Sequence, residues 1–264
     1  MTSTSNPRPR DSRIVRHHVA QHRHLLKAPI SEALIDVRVQ PRADFQAQSF
    51  LSLREELSPR FPNAEERRGV TLQLAFGGRD VSPKGEVVSH PVDGVFFRSG
   101  DGKVVAQFRA DGFTFNRLRP YTSWGEIVPV ATELFTKFLT ISNPRLVTRV
   151  ATRFINHLTL PSRNFGRYLS VPPHGVSGVA GDINGFINHV SVRHASGATV
   201  NFTQALDQPG GQIGPTILVD VDVFLAGEFE SNPAALTETL PMLHDLKNSA
   251  FFAAITDDAA ALCE

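Results

Sequence analysis

The chain has 264 residues, 41% of them hydrophobic, and a formal net charge of +1. That length and apolar content suit one large domain or two ordinary ones, and the near-neutral charge gives no bias toward nucleic acid or an anionic membrane. No apolar run approaches the roughly 20 residues of a membrane-spanning helix, and the single cysteine, Cys263, has no partner for an internal disulfide, so a cytoplasmic protein is expected.

Residues 1–27 carry Arg8, Arg10, Arg13, Arg16, Arg23 and Lys27 against one acid, Asp11, together with His17, His18, His22 and His24. Few large apolar groups accompany them, which predicts a basic, His-rich disordered tail. There is no apolar h-region, so the segment does not read as a signal peptide. It is the one route by which nucleic acid would be expected. The irregular histidine spacing is a weak metal signal.

Downstream, "ALIDVRV" (33–39) alternates strictly and predicts a half-buried strand ended by Pro41. "DFQAQSFLSLREEL" (44–57) places Phe50, Leu53 and Leu57 at helical spacing, with Asp44 as N-cap. Strands are predicted at 70–76, 95–99, 103–110 and 113–118, separated in part by the Gly-containing turns "SGDGK" and "DG". "SWGEIVPVATELFTKFL" (123–139) is a helix with Trp124, Val128, Ala131, Phe135 and Phe138 near one face. The second half opens on a long strand at 146–160, a short helix capped by Ser162, and a Gly/Pro-rich loop at 171–182. Three more strands follow, in "GFINHVSVRH", "ATVNFTQAL" and "TILVDVDVFL". A helix at 232–255 starts on Asn232 and Pro233, and Pro241 should kink it, as Pro129 should the earlier one.

Each half thus reads strand, helix, antiparallel strands, long helix. The expected fold is α+β: pseudo-duplicated units (28–142 and 143–264) forming one curved antiparallel sheet with helices on one face, TATA-binding-protein-like or helix-grip-like. A duplicated strand–helix–strand–strand ligand-binding module is the alternative. The two halves make one continuous domain, 28–264.

Strand alternation then sorts side chains by face. Ile35, Val37, Phe108, Val150, Phe154, Val219 and Val221 point one way; Asp36, Arg38, Arg109, Arg149, Arg153, Arg193, Asp220 and Asp222 point the other. Such a face is either a solvated surface of cross-strand ion pairs or a polar surface that binds something, arginine being suited to carboxylate and phosphate. In "NRLRPYTSWGEI" (116–127), Ser123 and Glu126 form a capping-box pattern and Pro120 sets a corner. Tyr121, Arg117 and Arg119 are left over, and beside a helix N-terminus they are candidates to hold an anion. "GGRD" (77–80) and "PGGQIG" (209–214) read as loops, and no phosphate loop, GxSxG or HExxH is present. Lys247 and Asn248 interrupt an apolar helix, either as bridges to the sheet or as members of a site.

The stretches "APISEALIDVRV", "RLRPYTSWGEI", "RVATRFINHLTLP", "VDVDVF" and "LKNSAFFAAIT" together resemble a sporadically distributed bacterial family of proteins of about this length, over roughly residues 27–257. No activity carries over with the resemblance. Its patchy distribution implies horizontally moving genes in a defence or toxin–antitoxin setting. The family's motif positions correspond here to Arg119, Tyr121, Trp124, Arg149, Arg153, Asn156, Asp220 and Asn248. Ala151 and Phe154 stand where the family more often has glycine and tyrosine, so no tyrosine hydroxyl is available there.

The expected function is non-enzymatic binding of a partner protein or a small anionic ligand. The candidate ligand-binding residues are Arg38, Arg109, Arg119, Tyr121, Arg149, Arg153, Asn156, Asp220 and Asp222. No cofactor is called for. A metal-dependent enzyme acting on a phosphorylated or nucleotide substrate, with Asp220 and Asp222 as metal ligands, is the alternative.

Overall fold

The structure, a computed structural model, describes residues 23–75, 84–207 and 214–264. Residues 1–22 of the predicted tail, the "GGRD" segment and all of "PGGQIG" except Gly214 lie outside the described residues. The strands are β1 (Ile30–Gln40), β2 (Asn63–Ala75), β3 (Lys84–Arg98), β4 (Val104–Arg109), β5 (Gly112–Leu118), β6 (Leu146–Thr159), β7 (Ile187–Arg193), β8 (Thr199–Asp207) and β9 (Thr216–Phe229). They form one antiparallel sheet in the order β2-β3-β4-β5-β1-β6-β9-β8-β7. The first half supplies five adjacent strands and the second half four. The halves meet where β1 pairs β6, with Val37 opposite Val150 and Arg38 opposite Arg149.

The core lies on one face of this sheet. Ala33, Ile35 and Val37 of β1 are buried there with Val150 and Phe154 of β6 and Val219, Val221 and Val223 of β9. The helix α2 (Trp124–Ser142) contributes Leu134, Phe135 and Phe138, and Phe50, Phe108, Phe113, Phe135 and Phe138 make a cluster of touching rings. Over the second half, α5 (Leu240–Ala254) lies on β6, β9 and β8. No helix among the described residues is long and apolar enough to cross a membrane.

Several elements differ from the sequence reading. The segment expected as one helix at 44–57 is a 3-10 helix over Ala47–Leu53 followed by a single turn, α1 (Arg54–Leu57), and Gln46, not Asp44, occupies its N-cap position. Its buried residues explain this. Ala47, Phe50 and Leu53 recur every three positions, the period of a 3-10 helix. β2 begins at Asn63, well before the apolar run at Val70, because its first residues are the charges of an edge strand: Glu65, Glu66, Arg67 and Arg68. The kink expected at Pro241 is a full break. A short turn, α4 (Ala234–Thr237), ends before it, and Pro241 sits in the first turn of α5, where a missing N–H is harmless. α2 runs on through Pro129. Two more short helices, α3 (Phe165–Tyr168) and α6 (Asp257–Ala261), complete the chain.

The end of the predicted tail is joined to this body. Arg23 pairs with Asp257 (3.5 Å) and Glu264 (3.2 Å), Leu25 is buried, and the Lys27 amide donates to the Cys263 carbonyl at 2.8 Å.

Candidate functional site

The sheet face away from the core carries the arginines and aspartates in the parity expected. Asp36 is their hub. It accepts hydrogen bonds from Thr114 Oγ1 (2.6 Å), Arg149 Nη1 (2.8 Å), Arg109 Nη2 (3.2 Å) and Arg38 Nε (3.3 Å). Burial opposes the charge on Asp36, but the Thr114 hydrogen bond and the guanidinium groups of Arg38, Arg109 and Arg149 outweigh it and hold the carboxyl below its usual range. Arg149 also donates to both oxygens of Asp222 (3.2 and 3.1 Å) and stacks on Phe224, and Arg153 grips Asp220 with two bonds (2.8 and 2.5 Å).

The network continues to both sides. Glu32 accepts from Asn116 Nδ2 at 2.5 Å, Asn116 accepts from Gln107 at 3.1 Å, and Gln107 accepts from Arg109. On the other flank, Asn201 donates to Asp222 (3.3 Å) and accepts from Ser191 (2.8 Å). A depression of about 430 Å³ lies over Asp36, Arg109, Arg149 and Asp222. Four guanidinium groups (Arg38, Arg109, Arg149, Arg153) face four carboxylates (Asp36, Asp111, Asp220, Asp222). An incoming anion would meet no excess of positive charge there. Asp220 and Asp222 are held by arginines, and among the described residues no group of three or more His, Cys, Asp or Glu is arranged to hold a metal ion.

The opposite, helix-covered face has a different character. Between the corner preceding α2, the middle of α5 and the segment entering β1 lies a cavity of about 400 Å³. Its lining includes Tyr121, Trp124, Asn156, His244, Lys247 and Asn248, with Leu25, Ile30 and Phe251 adding apolar wall. None of its lining residues is Asp or Glu; Arg23, His24, His244 and Lys247 are its titratable bases.

Local structure explains each position. The Ser123 side chain accepts from the Glu126 amide at 3.2 Å and starts α2 at Trp124. That start places Trp124 parallel to His244 of α5, with ring centroids 4.3 Å apart. Phe154 of β6 lies beneath them, 6.0 Å from Trp124 and edge-on to Tyr121 at 5.6 Å. Lys247, three residues after His244 on the same helix, turns its Nζ onto the face of Phe154, 3.8 Å from the centroid, and donates to Asn248 Oδ1. Asn156, two residues after Phe154 and so on the same face, gives its amide N–H groups to the Phe154 and Val219 carbonyls. Its carbonyl oxygen is outside both bonds.

Lys247 is 6% exposed, and no carboxylate lies within ion-pair distance of it among the described residues. Burial drives its amine down to about 7. The Phe154 face and Asn248 both favour the ammonium, by roughly 1–2 kcal/mol for a desolvated cation–π contact, so desolvation is the larger effect. Burial, helped by Glu126, pushes the Tyr121 hydroxyl up to about 12, which keeps it a neutral donor.

The nine predicted site residues therefore divide. Arg38, Arg109, Arg149, Arg153, Asp220 and Asp222 share the outer face. Tyr121 and Asn156 line the cavity on the other side. Arg119 reaches neither: it is exposed, beside Lys27 and His157. The anion-holding group of Tyr121, Arg117 and Arg119 is not assembled, since Arg117 donates to the Pro120 carbonyl and lies against Arg60 and Phe115. Lys247 was visible in the sequence as a charge on an apolar helix, and Arg23 and His24 only as part of the basic tail; His244 gave no signal of its own. No protein-family model matches the chain, and no curated protein matches it.

Proposed function

We propose that this chain is a binding protein for a small anionic ligand, and that the ligand occupies the cavity beneath α2 and α5. One observation carries the reading: a buried amine without a carboxylate partner among the described residues, in a cavity whose lining includes His24, His244 and Lys247 and no acid. The volume suits a small organic molecule, and the Trp124–His244 stack with Phe251 suits an apolar, flat body. A bound carboxylate would restore the charge that burial removes from Lys247. The sheet face is the weaker candidate because its charges cancel, and the metal-enzyme reading loses its two ligands to Arg149 and Arg153.

We also infer a pseudo-duplicated fold of the TATA-binding-protein-like or helix-grip kind. Two features support it. Each half opens on a central strand, β1 or β6, and its later strands run from the outer edge inward before a long helix returns over them.

Calorimetric titration of benzoate and 3-phenylpropanoate into wild type, Lys247→Met and Arg153→Ala tests the ligand reading. Binding is expected at about pH 6, weakening up to about tenfold per pH unit above pH 7 as the amine loses its proton. It should be lost in Lys247→Met and kept in Arg153→Ala. Loss only in Arg153→Ala would move the site to the sheet face.

A further inference from the structure

The placement of Lys247 specifies more than a positive charge. Its amine is fixed on two sides, by the ring of Phe154 and by Asn248 Oδ1, and the residue lines the cavity. Among the described residues no carboxylate pairs with it. The same wall holds His24 and the Trp124 amide, which as the first of α2 has no acceptor within the helix, while Arg23 beside them is already paired with Asp257 and Glu264. The wall thus combines a desolvated amine with donors from which a carboxylate could accept.

We propose that Lys247 is a carbonyl-reactive amine and that the ligand is an oxo acid, an aldehyde or ketone bearing a carboxylate, held as an imine on Nζ. This rests on the cavity being the ligand site. The Nζ lone pair adds to the carbonyl carbon while the C=O π electrons move to oxygen. One proton passes from nitrogen to that oxygen, giving a carbinolamine. The hydroxyl then leaves with the second nitrogen proton as water, and the C=N bond forms. Amine and carbonyl give imine and water, with no change of oxidation state. The neutral Tyr121 hydroxyl, in the same wall, is the group that can hydrogen-bond the carbonyl oxygen. The titratable groups that line the cavity with the amine are Tyr121 from the corner, His244 from α5, and His24 and Arg23 from the entering segment, Arg23 being paired with Asp257 and Glu264.

Glyoxylate with sodium cyanoborohydride is the probe, because reduction turns the imine into a stable carboxymethyl-lysine located by peptide mass spectrometry. The chain has five lysines, so wild type carries its own controls. Although Lys247 is buried, it should be modified at least about tenfold faster than Lys27, Lys103 or Lys137, because a desolvated amine is largely neutral near pH 7.5. The rate should rise with pH and level off above about 7, opposite in sense to simple anion binding, and 3-phenylpropanoate should slow it. Lys247→Arg should abolish this adduct and leave the slow background. Modification of Lys247 no faster than of the other lysines would overturn the proposal. If 3-phenylpropanoate still binds in that case, the cavity remains the ligand site without covalent chemistry; if it does not, both readings fall.

Discussion

Lys247 lowers the stability of the fold that contains it. Its amine titrates near 7 in the folded chain against an ordinary value of 10.5. Between those values the unfolded chain binds a proton that the folded chain does not, so stability rises with pH from about 7 toward 10.5. Below about 7 both states are protonated and the full penalty applies. At about 1.4 kcal/mol per pKa unit the penalty is on the order of 5 kcal/mol. Lys247→Met, which keeps the stem and removes the charge, should therefore stabilise the protein by about 2–4 kcal/mol at pH 6. It should also flatten the rise in stability between pH 7 and 10, as measured by urea unfolding. A destabilised variant would mean that the amine has a charged partner in the fold. The sequence located Lys247 as an oddity on an apolar helix but could not weigh it. Its significance depends on Phe154, Trp124 and Asn156, which are far from it along the chain.

At the scale of elements, the α2 N-terminus organises the cavity. Ser123 fixes where the helix begins, and with it the direction of Trp124 onto His244. Ser123→Ala should cost about 1 kcal/mol and lower the melting temperature by about 2–4 °C. Ser123→Asp should restore it, since aspartate also caps; scanning calorimetry of the three proteins compares them directly. This element was legible in the sequence because its capping signal and apolar face are local. So were the buried faces of β1, β6 and β9, since alternation needs only neighbouring residues. The misread elements were those whose reason is not local. The segment 47–53 has a three-residue apolar period that looks helical in a short window. The start of β2 shows charges where an inner strand would show valines. Asn156 shares a face with Phe154 by simple parity, yet only packing shows that this face opens into a cavity.

On the scale of the molecule, the two faces of the sheet divide the work. The outer face ties the halves together, and the covered face leaves room for a ligand. The seam between halves is the β1–β6 pairing, where Arg38 lies directly opposite Arg149. Like charges so placed repel. Asp36 accepts from both, and also from Arg109 and Thr114, and Arg149 carries the connection on to Asp222 of β9. One carboxylate thus links β1, β4, β5 and β6, and through Arg149 also β9. Its folded pKa lies below the ordinary 3.8, so its stabilisation is complete above that value and is lost as pH falls through the lower one. Asp36→Asn should remove that contribution at every pH. The loss should be about 2–3 kcal/mol at neutral pH, below the 3–5 kcal/mol typical of a broken buried pair because Arg38 and Arg149 are partly exposed. The slope of stability against pH below about 4 should be shallower in the variant, leaving the remaining carboxylates to drive acid unfolding. Because the lost bonds cross the seam, the transition should also broaden if the halves begin to unfold separately; a single sharp transition with unchanged acid sensitivity would show that Asp36 does not join them. Binding of 3-phenylpropanoate should survive this substitution, since the cavity shares no side chain with the network.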